Sequence, residues 1–491
     1  MKYEGMKEMN INKITKFALL LVCSLLFFDT ASCAMPAAPT SLEADLLATA
    51  KTGDLAKVKN LLASGVDVNA KDKNGWTPLL MALGHGLQVP LVPINVNIIK
   101  TLIQAGADLN WETPRGQTPL NMAVHREDLE VVKVLIAAGA KVNQKIKSKS
   151  APDYYQGATP IFMAVESKNL EVIKELIRAG ANVNERNNMG VTPLMVAMGS
   201  RNIGPLLVLI AEGADINVKT TVDSGDARAP AGTTALMGAA HEGNLKVVEV
   251  LLIAGADIAA TNSEGYTALM YAKKQNNEEI VEILKEPEQS KGVARRALGK
   301  ELIDAVGYKK KTEYAKLLIR LGVDVNVKDK DGSTALIEAI KNDSEENVRA
   351  LVKAGADINA PDGEIGATPL IWAAFRNGNK DIIKILLQSG AEVNRKARGD
   401  SKGHDGAGWT ALMTAAMAGY TDVVSQLLKA GANPNSVNKA GKTAMDIAKE
   451  EGHKEIVRLL EKAVKSEIVK EIQKNPSTSE DVDIFDEPWE L

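Results

Sequence analysis

The chain has 491 residues, a formal net charge of −3, 4% aromatic residues and two cysteines. A chain of that length is too long for one hydrophobic core, and with so few rings its interior must be built from Leu, Ile, Val and Ala in many thin layers. The charge argues against the basic face that generic nucleic-acid binding requires, and two cysteines cannot supply a disulfide framework.

The N-terminus carries an export signal. Lys13 and Lys16 precede a twelve-residue apolar run, Phe17–Phe28, and small residues follow at Ala31-Ser32-Cys33-Ala34. This order predicts a secretory signal peptide over residues 1–34, with Met1 or Met9 as the start. The run falls short of the ~20 residues that span a bilayer, and no later stretch is long and apolar enough to do so. Cleavage is expected near Cys33 or Ala34. The alternative is a lipid anchor at Cys33, against which stand Asp29 and the lack of Leu three residues before the cysteine. Both cysteines, Cys23 and Cys33, lie in this leader, so the mature chain would contain none. The expectation is an exported bacterial protein, periplasmic or secreted.

From residue 41 onward one signature dominates, Gly-x-Thr-[Pro/Ala]-[Leu/Ile/Met]-x-x-Ala. It recurs at Gly75, Gly116, Gly157, Gly190, Gly232, Gly265, Gly332, Gly366, Gly408 and Gly441. Successive spacings are one period of 33 plus 0, 1, 8 or 9 residues, except one of 67 that hides a further repeat. The threonine suits a helix N-cap and the proline the first helical position, where its missing N–H costs nothing. A second helix ends at Leu/Ile-x-x-Gly-Ala-x-[Val/Ile/Leu]-Asn, whose glycine suits the left-handed C′ position. Each unit therefore reads helix, short turn, helix, projecting turn, a helix-pair solenoid.

This pattern resembles the ankyrin-repeat family over residues 41 to about 465. Thr192-Pro193-Leu194 and Leu252-Ile253-Ala254-Gly255-Ala256-Asp257 match its core nearly residue for residue. The resemblance implies an all-α solenoid of about twelve repeats with projecting, β-hairpin-like fingers. The first repeat, Ser41–Asn74, and the hidden one, Leu298–Asp331, lack the Gly-x-Thr-Pro start. The seventh ends at Glu286-Pro287 without its Gly-Ala-Asp turn. These features divide the array into repeats 1–7 (41–286), a linker (287–293) and repeats 8–12 (294–465). An acidic, mobile tail (466–491) is expected beyond.

Insertions give such a scaffold its character. Three lengthen fingers, at Gln144–Gln156, Val218–Ala231 and Arg395–Ala407, and a fourth widens a loop around Leu87–Ile94. Chemistry is sparse. The five histidines form no metal-ligand motif, and neither a P-loop nor a nucleophile elbow is present. Residues 399–406 hold Ser401, His404 and Asp405, but neighbours on one glycine-rich loop cannot preorganise a triad. An enzyme or metal-dependent module using that loop is the alternative of another class; no catalytic residue, cofactor or metal is expected.

The reading is a non-catalytic, exported scaffold, a monomer, binding an unidentified protein and no nucleic acid. A secreted effector binding a host protein is the runner-up. In the family, surface contacts fall between Gly and Thr and just after the first helix. Those positions imply Trp76, Tyr266 and Trp409, then Phe375, Arg376 and Met417. Tyr154 and Tyr155 end the first inserted finger, and Arg395, Lys396, Arg398, Lys402 and His404 make the third basic. Trp76 and Trp409 have a second reading, packing on a neighbouring finger. Trp372 is excluded, because its helix position normally faces the core.

Overall fold

The computed structural model describes residues 40–84, 94–199, 202–221, 230–308, 311–376, 378–399 and 407–474. The leader with Cys23 and Cys33, most of the Leu87–Ile94 insertion, the middle of the second finger, Lys402, His404 and residues 475–491 lie outside them. The chain divides into two compact units, Met1–Met122 with Ala137–Ala140 and Ala123–Ile136 with Lys141–Leu491. That division falls within the third repeat, away from residue 287.

The expected all-α solenoid is present; the described residues form twelve helix pairs, each with an inner helix followed by an outer one. The first unit contains α1 (Ser41–Thr52), α2 (Leu55–Ala63), α3 (Pro78–Ala82) and α4 (Val96–Gln104). The third pair is α5 (Pro119–His125) and α6 (Leu129–Ala137). Pairs four to seven are α7 (Pro160–Ser167) and α8 (Leu170–Arg178), α9 (Pro193–Ala197) and α10 (Gly204–Ala211), α11 (Ala235–Glu242) and α12 (Leu245–Ile253), α13 (Ala268–Lys274) and α14 (Glu278–Lys285). Pair eight is α15 (Pro287–Val306) and α16 (Thr312–Leu321). Pairs nine to twelve are α17 (Ala335–Lys341) and α18 (Glu345–Lys353), α19 (Pro369–Phe375) and α20 (Lys380–Gln388), α21 (Ala411–Ala418) and α22 (Thr421–Lys429), α23 (Ala444–Glu450) and α24 (Lys454–Lys474). Residues 287–293, expected as a linker, are the first two turns of α15, and the expected tail is helical to Lys474.

The local chemistry follows the repeat. Thr368 Oγ1 accepts from Ile371 N at 3.3 Å and Thr410 Oγ1 from Met413 N at 3.3 Å, each satisfying an orphan amide of a first turn. Several outer helices start on Asn or Asp instead; Asn169 Oδ1, for example, accepts from Val172 N at 3.1 Å. At the end of α20, Gly390 has φ +92°, the left-handed conformation that closes the helix.

Fingers close with one recurring backbone bond, such as Asn187 N to Val191 O at 3.1 Å. The insertions sit inside that bond and leave it intact. Ile146 N donates to Ala158 O at 3.0 Å, Thr220 N to Thr233 O at 3.0 Å and Ala397 N to Trp409 O at 2.8 Å. Successive fingers are tied by asparagine. Asn394 Nδ2 donates to Gly431 O at 3.0 Å while its Oδ1 accepts from Asn433 N at 2.8 Å. Asn143, Asn184, Asn217, Asn326 and Asn359 bridge their neighbours in the same way.

Stacking is not uniform through the second unit. Inner helix packs on inner helix from α15 through α17, α19, α21 and α23. The eighth pair, however, does not continue the seventh by helix-on-helix stacking. Helix α15 packs on the outer helix α12, and α16 packs on the outer helix α10. Ion pairs accompany the docking: Lys246 to Glu301 at 2.8 Å, Lys174 to Glu313 at 3.9 Å and Arg320 to Glu212 at 3.4 Å. Gly299 lets α15 settle against its own repeat, since a Cβ there would lie 2.4 Å from the Asp324 carbonyl oxygen. Beside α15, burial pushes the Glu249 carboxyl up to about 7; Lys246 opposes the shift, and Glu301 and Glu279 add to it. The seventh pair consequently shows an apolar end. Met270 is 49% exposed, whereas Met237 and Met413, at the same helix position, are 1% and 0% exposed.

Candidate protein-binding face

The ninth to eleventh repeats gather exposed aromatic and basic side chains on one stretch of inner helices and fingers. Helix α19 presents Trp372, half-buried, and Phe375, 46% exposed, one turn apart. Their rings meet edge to face, centroids 6.0 Å apart at 74°, a favourable geometry for aromatic quadrupoles. Three groups hold Trp372. Its Nε1 donates to Asp362 Oδ2 at 2.7 Å, the Lys341 ammonium lies 4.6 Å from its ring centroid, and Phe375 abuts it. Asp362 is buried and its other oxygen accepts from Ile365 N and Ala367 N, at 3.0 and 3.2 Å. The finger therefore positions the indole from below. Lys341 is in turn paired with Glu338 at 2.9 Å. Trp372, set aside as a core residue on sequence grounds, belongs to this surface.

Arg376 is exposed at the end of α19, where its carbonyl accepts from Tyr420 Oη at 2.9 Å. Met417 on α21 is half-buried, and its carbonyl is 3.1 Å from His453 Nε2. In the finger, Arg395 pairs with Glu392 at 3.2 Å and Lys396 Nζ donates to Val437 O at 2.7 Å. Arg398 lies against the preceding finger, where a Cβ on Gly366 would be 2.7 Å from its Nε. Trp409 is half-buried, and among the described residues its shielded Nε1 has no hydrogen-bond partner.

The other expected contacts lie elsewhere. Trp76 is 6% exposed, a correction to its assignment as a surface ring. The next finger closes tightly over its own: Trp111 Nε1 donates to Gly75 O at 2.7 Å, and a Cβ on Gly75 would be 2.7 Å from Pro114 Cδ. Tyr154 and Tyr155 pin their insertion to the scaffold. Tyr154 meets the Phe162 ring at 5.2 Å and Tyr155 Oη donates to Glu166 at 2.9 Å, beside a small core of Ile146, Ala151, Ala158 and Phe162. Tyr266 is half-buried against Tyr271, ring centroids 5.4 Å apart, with the Lys274 ammonium 5.5 Å from its ring. Burial raises the Tyr271 phenol above its ordinary range, against the hydrogen bond from Asn262. Sequence reasoning missed Trp372, Lys341 and Asp362. The signal lay in Glu338, which occupies the Trp372 position one repeat earlier, because a charged residue there marks a column facing outward.

Comparison with known proteins agrees with this architecture. The model of ankyrin repeats in three copies matches residues 46–146, 145–220, 221–294, 302–397 and 398–471. The chain belongs to the ankyrin-repeat family. An Arabidopsis thaliana protein named as an E3 ubiquitin-protein ligase is 34% identical over 126 residues, 26% of this chain and 32% of that protein. The ankyrin repeat protein YahD of Escherichia coli is 29% identical over 179 residues, 30% of this chain and 88% of that protein. The human palmitoyltransferase ZDHHC17 is 41% identical over 96 residues, 20% of this chain and 14% of that protein. The match thus spans a third or less of the two named enzymes. Among the described residues, no helix is long and apolar enough to cross a membrane, and no group of His, Cys, Asp and Glu could hold a metal ion.

Proposed function

We propose that this ankyrin-repeat chain is a non-catalytic scaffold, exported from a bacterial cell, that binds a protein partner across repeats nine to eleven. The observation that carries the reading is Phe375, 46% exposed yet held edge-on to Trp372. A preorganised ring in water is the kind of anchor that dominates interfaces, and burying it adds about 1.5–3 kcal/mol. Arg376 follows it directly, and Lys396 and Arg398 add exposed positive charge on the finger of the same repeat, which would raise the association rate with an acidic surface. Ligase and transferase activity belong to the relatives so named.

Export rests on the Lys13/Lys16, Phe17–Phe28 and Ala31–Ala34 order. The periplasm or medium is the destination, and a secreted effector on a host protein is the variant reading. N-terminal sequencing of the native protein is expected to begin near Cys33–Met35; full-length chain in the cytosol would remove export from the account.

Partner binding is tested by capture from the envelope fraction with the full mature chain, alongside Phe375→Ala and Arg376→Ala. Each is expected to cost about 2 kcal/mol of affinity at a true hot spot, roughly thirtyfold, with an unaltered melt. A captured partner indifferent to both substitutions would return these residues to the scaffold.

A further inference from the structure

The face of repeats nine to eleven has a complement within the chain itself. Residues 475–491, outside the described residues, carry six acids (Glu480, Asp481, Asp483, Asp486, Glu487 and Glu490) and no base. Interleaved with them are Ile484, Phe485 and Trp489. On the face, Lys341 and Arg395 already have carboxylate partners. Arg376, next to the exposed Phe375, and Lys396 and Arg398, on the finger of the same repeat, are exposed with no carboxylate paired to them among the described residues. Acid with interleaved aromatics on one side meets base with aromatics on the other.

Reach is sufficient. Each outer helix runs towards the fingers, and α24 packs alongside α22. With 21 residues against nine for α22, α24 extends about 18 Å farther in that direction. The seventeen residues beyond Lys474 can span ~55 Å. Two repeats separate the twelfth inner helix from the tenth, about 20 Å at ordinary helix spacing, and the return past the overshoot to Phe375, at the end of α19 away from the fingers, adds about 30 Å along the helix axis, which together stay within that span.

We propose that the segment 475–491 docks on the aromatic and basic face of repeats nine to eleven and competes with the partner for it. This rests on the binding reading above and adds regulation to it. Tethering holds the segment at an effective concentration on the order of millimolar, so a weak intrinsic affinity keeps the face covered until a tighter partner displaces it.

The test compares the unaltered full chain with a full chain in which the six acids become Asn or Gln. The probe is a fluorescein-labelled synthetic peptide of residues 475–491, followed by fluorescence anisotropy. It is expected to bind the neutralised chain at least about tenfold more tightly than the unaltered chain, whose own segment occupies the face. Adding Arg376→Glu or Phe375→Ala to the neutralised chain is expected to weaken the probe at least about tenfold, with unchanged circular-dichroism melts. Both side chains are exposed, so the fold is not at stake. Equal affinity for both chains, indifference to the face substitutions, or no binding at about 1 mM probe would each overturn the proposal. Partner capture that needs Phe375 but ignores the six acids would remove only the segment; capture that ignores Phe375 as well would remove the face.

Discussion

Repeats nine to twelve and repeats six to eight are built from the same units and packed by different rules. In the former, inner helix stacks on inner helix, and Asn359 and Asn394 tie the fingers of repeats nine and ten to the next. In the latter, α15 and α16 abandon the stack for the outer helices α12 and α10, and the asparagine position of repeat six is Ala259. The lesson concerns where a rigid face can form. An uninterrupted stack carries side chains from three consecutive repeats on one surface, which is where Trp372, Phe375 and Met417 lie. At the seam, charged docking replaces apolar stacking, and what remains uncovered is an end, with Met270 in solvent.

The largest contrast is expected between two methionines at one helix position. Met413→Ala, in the regular stack at 0% exposure, should cost about 3 kcal/mol through lost burial and a cavity. Met270→Ala, at 49% exposure, should cost less than about 0.5 kcal/mol. Urea unfolding of the two variants measures this directly. Equal losses would mean that Met270 is covered and that the stack runs on.

Acidity sharpens the same comparison. Burial holds Glu249, 6% exposed beside α15, up near 7, above the unfolded-chain value of 4.5. Its contribution is therefore fully present below pH 4.5 and is lost as pH rises through about 7, at most about 3 kcal/mol in all. Glu249→Gln should abolish that slope in stability between pH 5 and 8. A slope that survives the substitution would place the titrating group elsewhere.

Finger ties give the smallest effect. Asn394 donates to Gly431 O and accepts from Asn433 N, so Asn394→Ala should cost about 1 kcal/mol. Ala259→Asn should gain nothing, because the next repeat has no Gly-Ala turn to receive it. A measurable gain in melting temperature there would reveal a regular finger after repeat six.

Much of this was legible in the residues. Thr-Pro starts predicted N-caps, helix-ending glycines predicted left-handed φ, and the spacing predicted twelve pairs, because each depends on chemistry within one repeat. The insertions were legible as finger extensions for the same reason. The path of α15 was not. Its twenty residues contain Gly292 and Gly299 and no capping threonine, and its position follows from side chains on α10 and α12 far away in sequence. Two clues were present nonetheless: Ala259 where asparagine recurs, and the missing turn after Leu284. Trp76 and Trp372 exchanged roles because exposure at a repeat position depends on the neighbouring finger, which the position alone does not encode.

The most direct test of the account is a hydrogen–deuterium exchange footprint of the captured partner on the full chain. Protection is predicted across Glu338–Arg376 and Arg395–Met417, in the regular stack, with the exposed end of repeat seven around Tyr266–Lys274 unchanged. Protection confined to Tyr266–Lys274, with none at Phe375 and Arg376, would contradict it.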